Sequence, residues 1–191
     1  MRKTTNPSVL IVDPMHDSLM KKLDASGVDY QYFPNVSKEE IPLMLPKFQV
    51  LVVRSKMHLG AEILPFAKNL KLIIRAGSGM DNVDTALFES NGIACANCPE
   101  GNRDAVAEQA IGMLLALSSN VVKGNRETGQ YKWDREGNRG FEIKGKTIGV
   151  IGLGNTGSAL AEKLRGFGCR VIAYDKYRHG FGSSHVEEVY L

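Results

Sequence analysis

The run Val150-Ile-Gly-Leu-Gly-Asn-Thr-Gly157 sets three glycines in the spacing G-x-G-x-x-G, a pattern suited to holding phosphate rather than to breaking bonds. At a turn from strand into helix, Gly152 permits the tight bend, Gly154 lets backbone approach a pyrophosphate, and Gly157 lets helix pack close to strand. The amides around Asn155, Thr156 and Ser158 would then face the phosphates with help from the helix dipole. Asp175 stands 18 residues past Gly157. There it can accept hydrogen bonds from the adenosine ribose hydroxyls and repel a 2′-phosphate, so the expected cofactor is NAD rather than NADP. Glycines also mark ordinary loops. Here a β-run precedes them, an amphipathic segment follows, and a second β-run ends in the acid, so all four elements agree.

A second group of ligand-type residues lies earlier in the chain. Arg54 and Ser55 follow the apolar run Val50–Val53, Arg75-Ala-Gly-Ser-Gly79 follows Leu72–Ile74, and Asn97-Cys-Pro99 follows Ile93–Ala96. Strands in a parallel sheet would deliver all three to one edge. Gly77 and Gly79 permit a nest of backbone amides that could bind a carboxylate, and two arginines beside it suit a doubly acidic substrate. Each feature alone has an ordinary reading as a surface arginine or a glycine turn; their convergence indicates a site. None of the four histidines, His16, His58, His179 and His185, sits in a motif suited to proton transfer. Cys95 and Cys98 form a C-x-x-C, but no second pair or nearby histidine completes a zinc site. The pair also runs into Pro99 rather than opening a helix that would depress a thiol pKa. No metal site is expected.

The elements that position these residues follow from hydrophobic pattern. Strands are expected at Val9–Val12, Tyr30–Phe33, Val50–Val53, Leu72–Ile74 and Ile93–Ala96, with helices at Leu19–Ala25, Lys38–Leu45, Ala61–Ala67 and Thr85–Ser90. Such alternation means a parallel sheet covered on both faces, here of flavodoxin-like type. A long apolar helix is expected over Asn102–Val122, and its several apolar faces call for burial on more than one side. Lys123–Lys146 reads as an arm whose lone Trp133 needs a surface. Strand Thr147–Ile151, helix Ser158–Phe167 and strand Arg170–Tyr174 complete the pattern, with Gly168 as a C-cap glycine. The fold class is therefore α/β, a flavodoxin-like parallel-sheet domain over 1–100 followed by the first part of a Rossmann dinucleotide-binding domain over 101–191. A net charge of +3 over 191 residues is too mild for a nucleic-acid partner. No apolar stretch approaches a membrane span or a secretory signal core, and three cysteines do not make a disulfide scaffold. A cytoplasmic location is expected.

The runs Arg75-Ala-Gly-Ser-Gly-Met-Asp-Asn-Val-Asp84 and Asn97-Cys-Pro-Glu-Gly-Asn102, then Ala107-Glu108, Trp133 and Gly145-Lys-Thr-Ile-Gly-Val-Ile-Gly-Leu-Gly154, closely resemble the D-isomer-specific 2-hydroxyacid dehydrogenases, most of all the branch acting on 3-phosphoglycerate. The likeness covers nearly the whole chain in order. It implies an NAD-dependent oxidoreductase acting on the CH–OH group of a small acidic 2-hydroxy or 2-oxo acid. Arg54, Ser55, Arg75, Ser78, Gly79 and Asn102 would serve the substrate, with Asn102 at the hinge. Ser78, Gly152, Gly154, Asn155, Thr156, Gly157 and Asp175 would serve the cofactor, and a homodimer would form through 102–146. Thr156 stands where the family usually carries an aliphatic residue; its β-branched shape should preserve the turn. The family's catalytic arginine, glutamate and histidine are expected beyond Leu191, so this chain is expected to be catalytically incomplete, with two strands in its cofactor sheet. Two alternatives are a glyoxylate or hydroxypyruvate reductase and a non-enzymatic, corepressor-like sensor of NAD, since fold does not fix function.

Overall fold

A computed structural model describes residues 8–177 and 186–190. The chain divides into two compact units, Met1–Pro99 and Glu100–Leu191.

The first unit alternates strands and helices: β1 Val9–Ile11, α1 Asp17–Ala25, β2 Tyr30–Tyr32, α2 Ile41–Met44, β3 Val50–Val53, β4 Leu72–Arg75, α3 Thr85–Ser90 and β5 Ala94–Asn97. All five strands are parallel, in the order β2-β1-β3-β4-β5, the flavodoxin-like order. Alternate residues of each strand feed opposite faces. Leu10, Val12, Leu51, Val53 and Ile73 pack with Ile41, Leu45, Leu59 and Phe88 on one side. Val9, Ile11, Val50 and Val52 pack with Met20 and Leu23 on the other. Two expected helices are shorter than their apolar pattern suggests. Lys38–Leu45 contributes only the single turn α2, running into a 3₁₀ turn at Leu45–Lys47, and Ala61–Ala67 contributes only a 3₁₀ turn at Leu64–Phe66. Pro42, Pro46 and Pro65 lie within these turns and cannot donate the hydrogen bonds that a longer α-helix needs.

In the second unit the expected helix 102–122 is two helices, α4 Arg103–Ser118 and α5 Val121–Gly129, bent by 62°. The break is at Asn120, which takes a left-handed conformation at φ 53°, one that asparagine tolerates better than most residues. Its Nδ2 donates to Arg139 O at 3.3 Å. The segment expected as an arm from Lys123 thus begins as helix and returns to this break. Phe141 N donates to Ser118 O at 2.8 Å, and a side chain on Gly140 would overlap that same carbonyl. Glu127 anchors the return: Asn138 donates to its carboxylate, and Lys123 and Lys132 lie 3.6 and 3.4 Å from it. The Asn138 hydrogen bond, then the two ammonium groups, hold the Glu127 carboxyl below its ordinary range.

Strand β6 Thr147–Ile151, helix α6 Asn155–Leu164, strand β7 Arg170–Tyr174 and strand β8 Glu188–Tyr190 form a parallel sheet in the order β6-β7-β8. The third strand corrects the expectation of two. Its sequence is short and carries glutamate, and it is held by backbone pairing of Ile172, Ala173 and Tyr174 with Glu188, Val189 and Tyr190. Gly168 closes the turn after α6 at φ 63°, the position expected of a C-cap glycine. Ala107 of α4 is fully buried, and Ile111 and Leu114 pack against the cluster of Val150, Leu164 and Val171. Met113 and Leu117, 67% and 72% exposed, face away. Within one copy, then, α4 is buried on one side rather than several. Lys163 of α6 bridges Asp104 and Glu108 of α4 at 3.2 and 3.1 Å, and its hydrogen bond lowers the Asp104 carboxyl pKa. No single helix among the described residues is long and apolar enough to cross a membrane.

Candidate functional site

Parallel pairing brings Ile151 and Tyr174 side by side at the carboxyl ends of β6 and β7, and the glycine turn begins there. Gly152 N donates to Tyr174 O at 2.8 Å, and Gly152 adopts φ +90°, a value open to glycine and rarely to other residues. A Cβ on Gly157 would overlap the Gly152 carbonyl oxygen and lie 3.2 Å from Val150 Cγ1. The missing side chain is therefore what lets α6 start directly against the strand. Gly154 is the N-cap of α6, and space is open where its Cβ would be. No side chain caps the helix, leaving the N-terminal amides of Asn155, Thr156 and Gly157 at an uncapped, glycine-lined opening. Leu153 points into the core and is fully buried. Asp175, 8% exposed, accepts from Leu153 N at 2.6 Å through Oδ2 and from Tyr177 N at 2.8 Å through Oδ1. The open glycine face, the uncapped helix start and the carboxylate beside them fit a dinucleotide. The turn would take the pyrophosphate, and Asp175 is the acceptor nearest in sequence to where a ribose would follow.

In the first unit, Arg75 ends β4, and Arg54, Ser55, Ser78 and Gly79 lie on the segments that follow β3 and β4, all at the carboxyl edge of the sheet. Arg54 is exposed, and its Nη1 reaches Pro14 O at 3.5 Å. Arg75 folds back: its Nε donates to Arg54 O at 3.3 Å and its guanidinium covers the Cα of Gly77. The two residues are thus neighbours at the β3–β4 edge, with Arg75 partly committed to backbone. Asn97 Nδ2 donates to Ser78 O at 2.6 Å, and Cys98 N donates to Gly77 O at 3.0 Å. These contacts tie the glycine loop to the end of β5. The Asp81 carboxylate lies against Gly79. Asn102 is in the second unit, at the N-cap of α4, and its side chain does not cap that helix.

His16 caps α1, its Nδ1 accepting from Ser18 N at 3.2 Å, which is a structural use. His58 is exposed. His179 and His185 lie outside the described residues. Cys95 and Cys98 are both free thiols. Cys95 sits in extended β5, three residues from Cys98, a span of about 10 Å along a strand and beyond the reach of a disulfide. Burial, then Glu89, pushes the Cys95 thiol pKa up, the opposite of a reactive thiolate. Pattern reading passes over Asp13 and Asn82, both hydrogen-bonded to the Arg54 backbone. Asp13 did carry a signal, since it follows the run Val9–Val12 as Asp175 follows Arg170–Tyr174.

Fold and turn together define an α/β protein that carries a glycine turn of the dinucleotide-binding type, with a second parallel-sheet unit before it. The chain belongs to the D-isomer specific 2-hydroxyacid dehydrogenase family, whose catalytic-domain model matches residues 9–185. It is 36% identical over 169 residues to a D-3-phosphoglycerate dehydrogenase of Archaeoglobus fulgidus, covering 88% of this chain and 32% of that one. It is 38% identical over 141 residues to a hydroxypyruvate reductase of Thermotoga maritima, covering 74% of this chain and 46% of that one. The chain thus spans about a third to a half of the length of these relatives. Among solved structures, an NAD-dependent formate dehydrogenase from Staphylococcus aureus in complex with NAD superposes with a TM-score of 0.77 at 26% identity, covering 96% of this chain and 60% of that one. An acyclic imino acid reductase in complex with NADPH shares the fold, with a TM-score of 0.83 at 23% identity, covering 95% of this chain and 60% of that one.

The two glycines separate structure from binding. Gly157→Ala should destabilise the chain by about 1–3 kcal/mol, because a methyl must displace the Gly152 carbonyl. Gly154→Ala, with open space around it, should stay within about 0.5 kcal/mol of wild type while weakening dinucleotide binding. Urea midpoints and calorimetric titration with NAD measure the two effects.

Proposed function

We propose that this chain supplies the substrate-binding unit and the cofactor turn of an NAD-dependent oxidoreductase acting on the CH–OH group of a D-2-hydroxy acid, and that the acid is phosphorylated, as 3-phosphoglycerate is. The observation that carries this reading is the adjacency of Arg54 and Arg75 at the sheet edge that also bears the Gly77–Gly79 loop. Gly77 N donates to Arg75 O at 2.8 Å, so the loop would meet one anionic group through the Gly79 amide, and a second would be met by guanidinium. Identity to the phosphoglycerate dehydrogenase supports it. On this reading Arg54, Ser55 and Arg75 face the acidic end of the substrate, and Ser78 and Gly79 line its carboxylate and the nicotinamide. Asn102 serves the hinge, the glycine turn with Asn155 and Thr156 takes the pyrophosphate, and Asp175 takes the ribose. The nicotinamide supplies the hydride acceptor when bound; this chain's residues hold and orient the acid. A reductase of hydroxypyruvate or glyoxylate is the second reading, favoured by the Thermotoga relative. The single carboxylate of such an acid would be met by the glycine loop, leaving both arginines without an anionic partner.

We also infer a homodimer through 102–146. Met113, Leu117 and Val122 line one groove and Val121 and Trp133 another, all exposed in one copy, and exposed apolar surface of this kind commonly marks an interface.

Four outcomes are expected. Titration with NAD and NADP should show a preference for NAD. Asp175→Ala should weaken NAD binding by about 1.5–3 kcal/mol and relax the preference; Asp175→Asn, which keeps an acceptor for Leu153 N, separates the ribose effect from the turn. Unchanged NAD affinity in both variants would remove Asp175 from that role. Neither His16 nor His58 is hydrogen-bonded to a carboxylate, and a hydroxyl proton needs such an acceptor. Mixing 3-phosphoglycerate and NAD with this chain should therefore produce no NADH absorbance, although calorimetry should detect the acid binding. Turnover would direct attention to His179 or His185. Sedimentation should give a dimer at tens of micromolar that Leu117→Glu converts to monomer; a wild-type monomer would contradict the inferred interface.

A further inference from the structure

The strand order of the first unit reverses between β1 and β3, since β1 leads outward to β2 and β3 leads the other way to β4 and β5. Open α/β sheets bind ligands in the crevice outside such a reversal. Arg54 emerges there, and its backbone is gripped on both sides by side chains from distant segments. Its N–H donates to Asp13 Oδ2 at 2.6 Å. Its carbonyl accepts from Asn82 Nδ2 at 3.1 Å and from Arg75 Nε at 3.3 Å. The same Asn82 nitrogen donates to Met57 O at 2.9 Å, so one amide group ties both ends of the loop Arg54–Met57. Within that loop Lys56 turns away, its ammonium donating to Pro34 O at 2.7 Å and Val36 O at 2.9 Å.

Asp13 is 6% exposed, and no lysine, arginine or histidine among the described residues pairs with it. A carboxylate so deeply placed is costly unless donors meet it, and the short bond from Arg54 N is of the charge-assisted kind that does so. The second unit repeats the device: Asp175, just past β7, takes the N–H of Leu153, just past the neighbouring β6, also at 2.6 Å. In both units a buried aspartate at one strand end sets the backbone that leaves the adjacent strand.

We propose that Asp13 and Asn82 are positioning residues for the anion-binding edge. They fix the Arg54 backbone from opposite sides and so hold the Arg54 guanidinium at the crevice, where a carboxylate or phosphate of the substrate would meet it. This rests on the assignment of an acidic substrate to that edge. Neither residue touches the substrate; each acts through Arg54.

The test uses the full 191-residue chain, labelled with ¹⁵N, as wild type and as Asp13→Ala, Asp13→Asn, Asn82→Ala and Arg54→Ala. Amide hydrogen exchange at Arg54 and binding of 3-phosphoglycerate and inorganic phosphate are followed by NMR. Asp13→Ala should speed Arg54 amide exchange by roughly tenfold or more while Leu51 and Val53 stay protected. Asp13→Ala and Asn82→Ala should each weaken 3-phosphoglycerate by roughly five- to tenfold, the loss expected for one hydrogen bond. Asp13→Asn, whose Oδ1 still accepts from Arg54 N, should stay within about twofold of wild type; loss of general stability alone would give no such rescue. Unchanged Arg54 exchange in Asp13→Ala overturns the positioning role. So does unchanged affinity in both alanine variants when Arg54→Ala abolishes binding. Tighter binding by Asp13→Asn overturns it in favour of simple charge repulsion between Asp13 and the anion. Should Asp13→Ala not fold, Asn82→Ala, a partly exposed position, carries the affinity comparison, and Asp13→Leu, which fills the buried site without an acceptor for Arg54 N, carries the exchange comparison. If wild type binds neither probe, or Arg54→Ala binds as wild type does, the substrate assignment fails, and the exchange data alone decide whether Asp13 positions the loop.

Discussion

Parallel strand pairing is the constraint on which everything else in this chain depends. It sends every strand of a sheet in one direction, so the segments leaving β1, β3, β4 and β5 emerge at one edge, and those leaving β6 and β7 at the corresponding edge of the second unit. The polar residues of interest are scattered from Asp13 to Asp175, yet each lies at or just beyond the carboxyl end of a strand, or on a loop tied to one. The sheet of the first unit is also covered on both faces, as parallel sheets commonly are. That is why β3 is buried at all four positions and why chemistry is confined to the edge. The core and the site therefore follow from the same pairing.

Edges built this way leave backbone groups that the strand ladder no longer serves, and buried ones must be met. This chain meets them with side chains that do a second task. Asp175 serves Leu153 N and Tyr177 N while presenting a carboxylate next to the glycine turn. Arg75 serves the Arg54 carbonyl while adding charge beside the glycine loop. Asn97 serves Ser78 O while marking the end of β5.

What was legible in the sequence had a local cause. Val9–Val12 and Val50–Val53 read as strands because burial on both faces demands unbroken apolar β-branched runs. The glycine turn read clearly because its residues are consecutive and each glycine has its own steric reason. Other features depend on partners remote in sequence. The break at Asn120 is hidden because apolar residues continue past it at Val121 and Val122, and the support comes from Arg139 and Phe141. Strand β8 carries glutamate and is recruited by pairing with β7. The hydrogen bond from Arg54 N to Asp13 spans 41 residues, a distance over which no periodicity reports. Trimming of the helices at Pro42, Pro46 and Pro65 was readable in principle, since proline's missing donor is a local fact.

Strand β6 ends the three-stranded sheet on one side, and among the described residues nothing pairs with its outer edge. Its last residue, Ile151, is 89% exposed. An edge of this kind is a template for a further strand, and its free backbone groups would set the register of whatever pairs there, as β7 sets the register of β8.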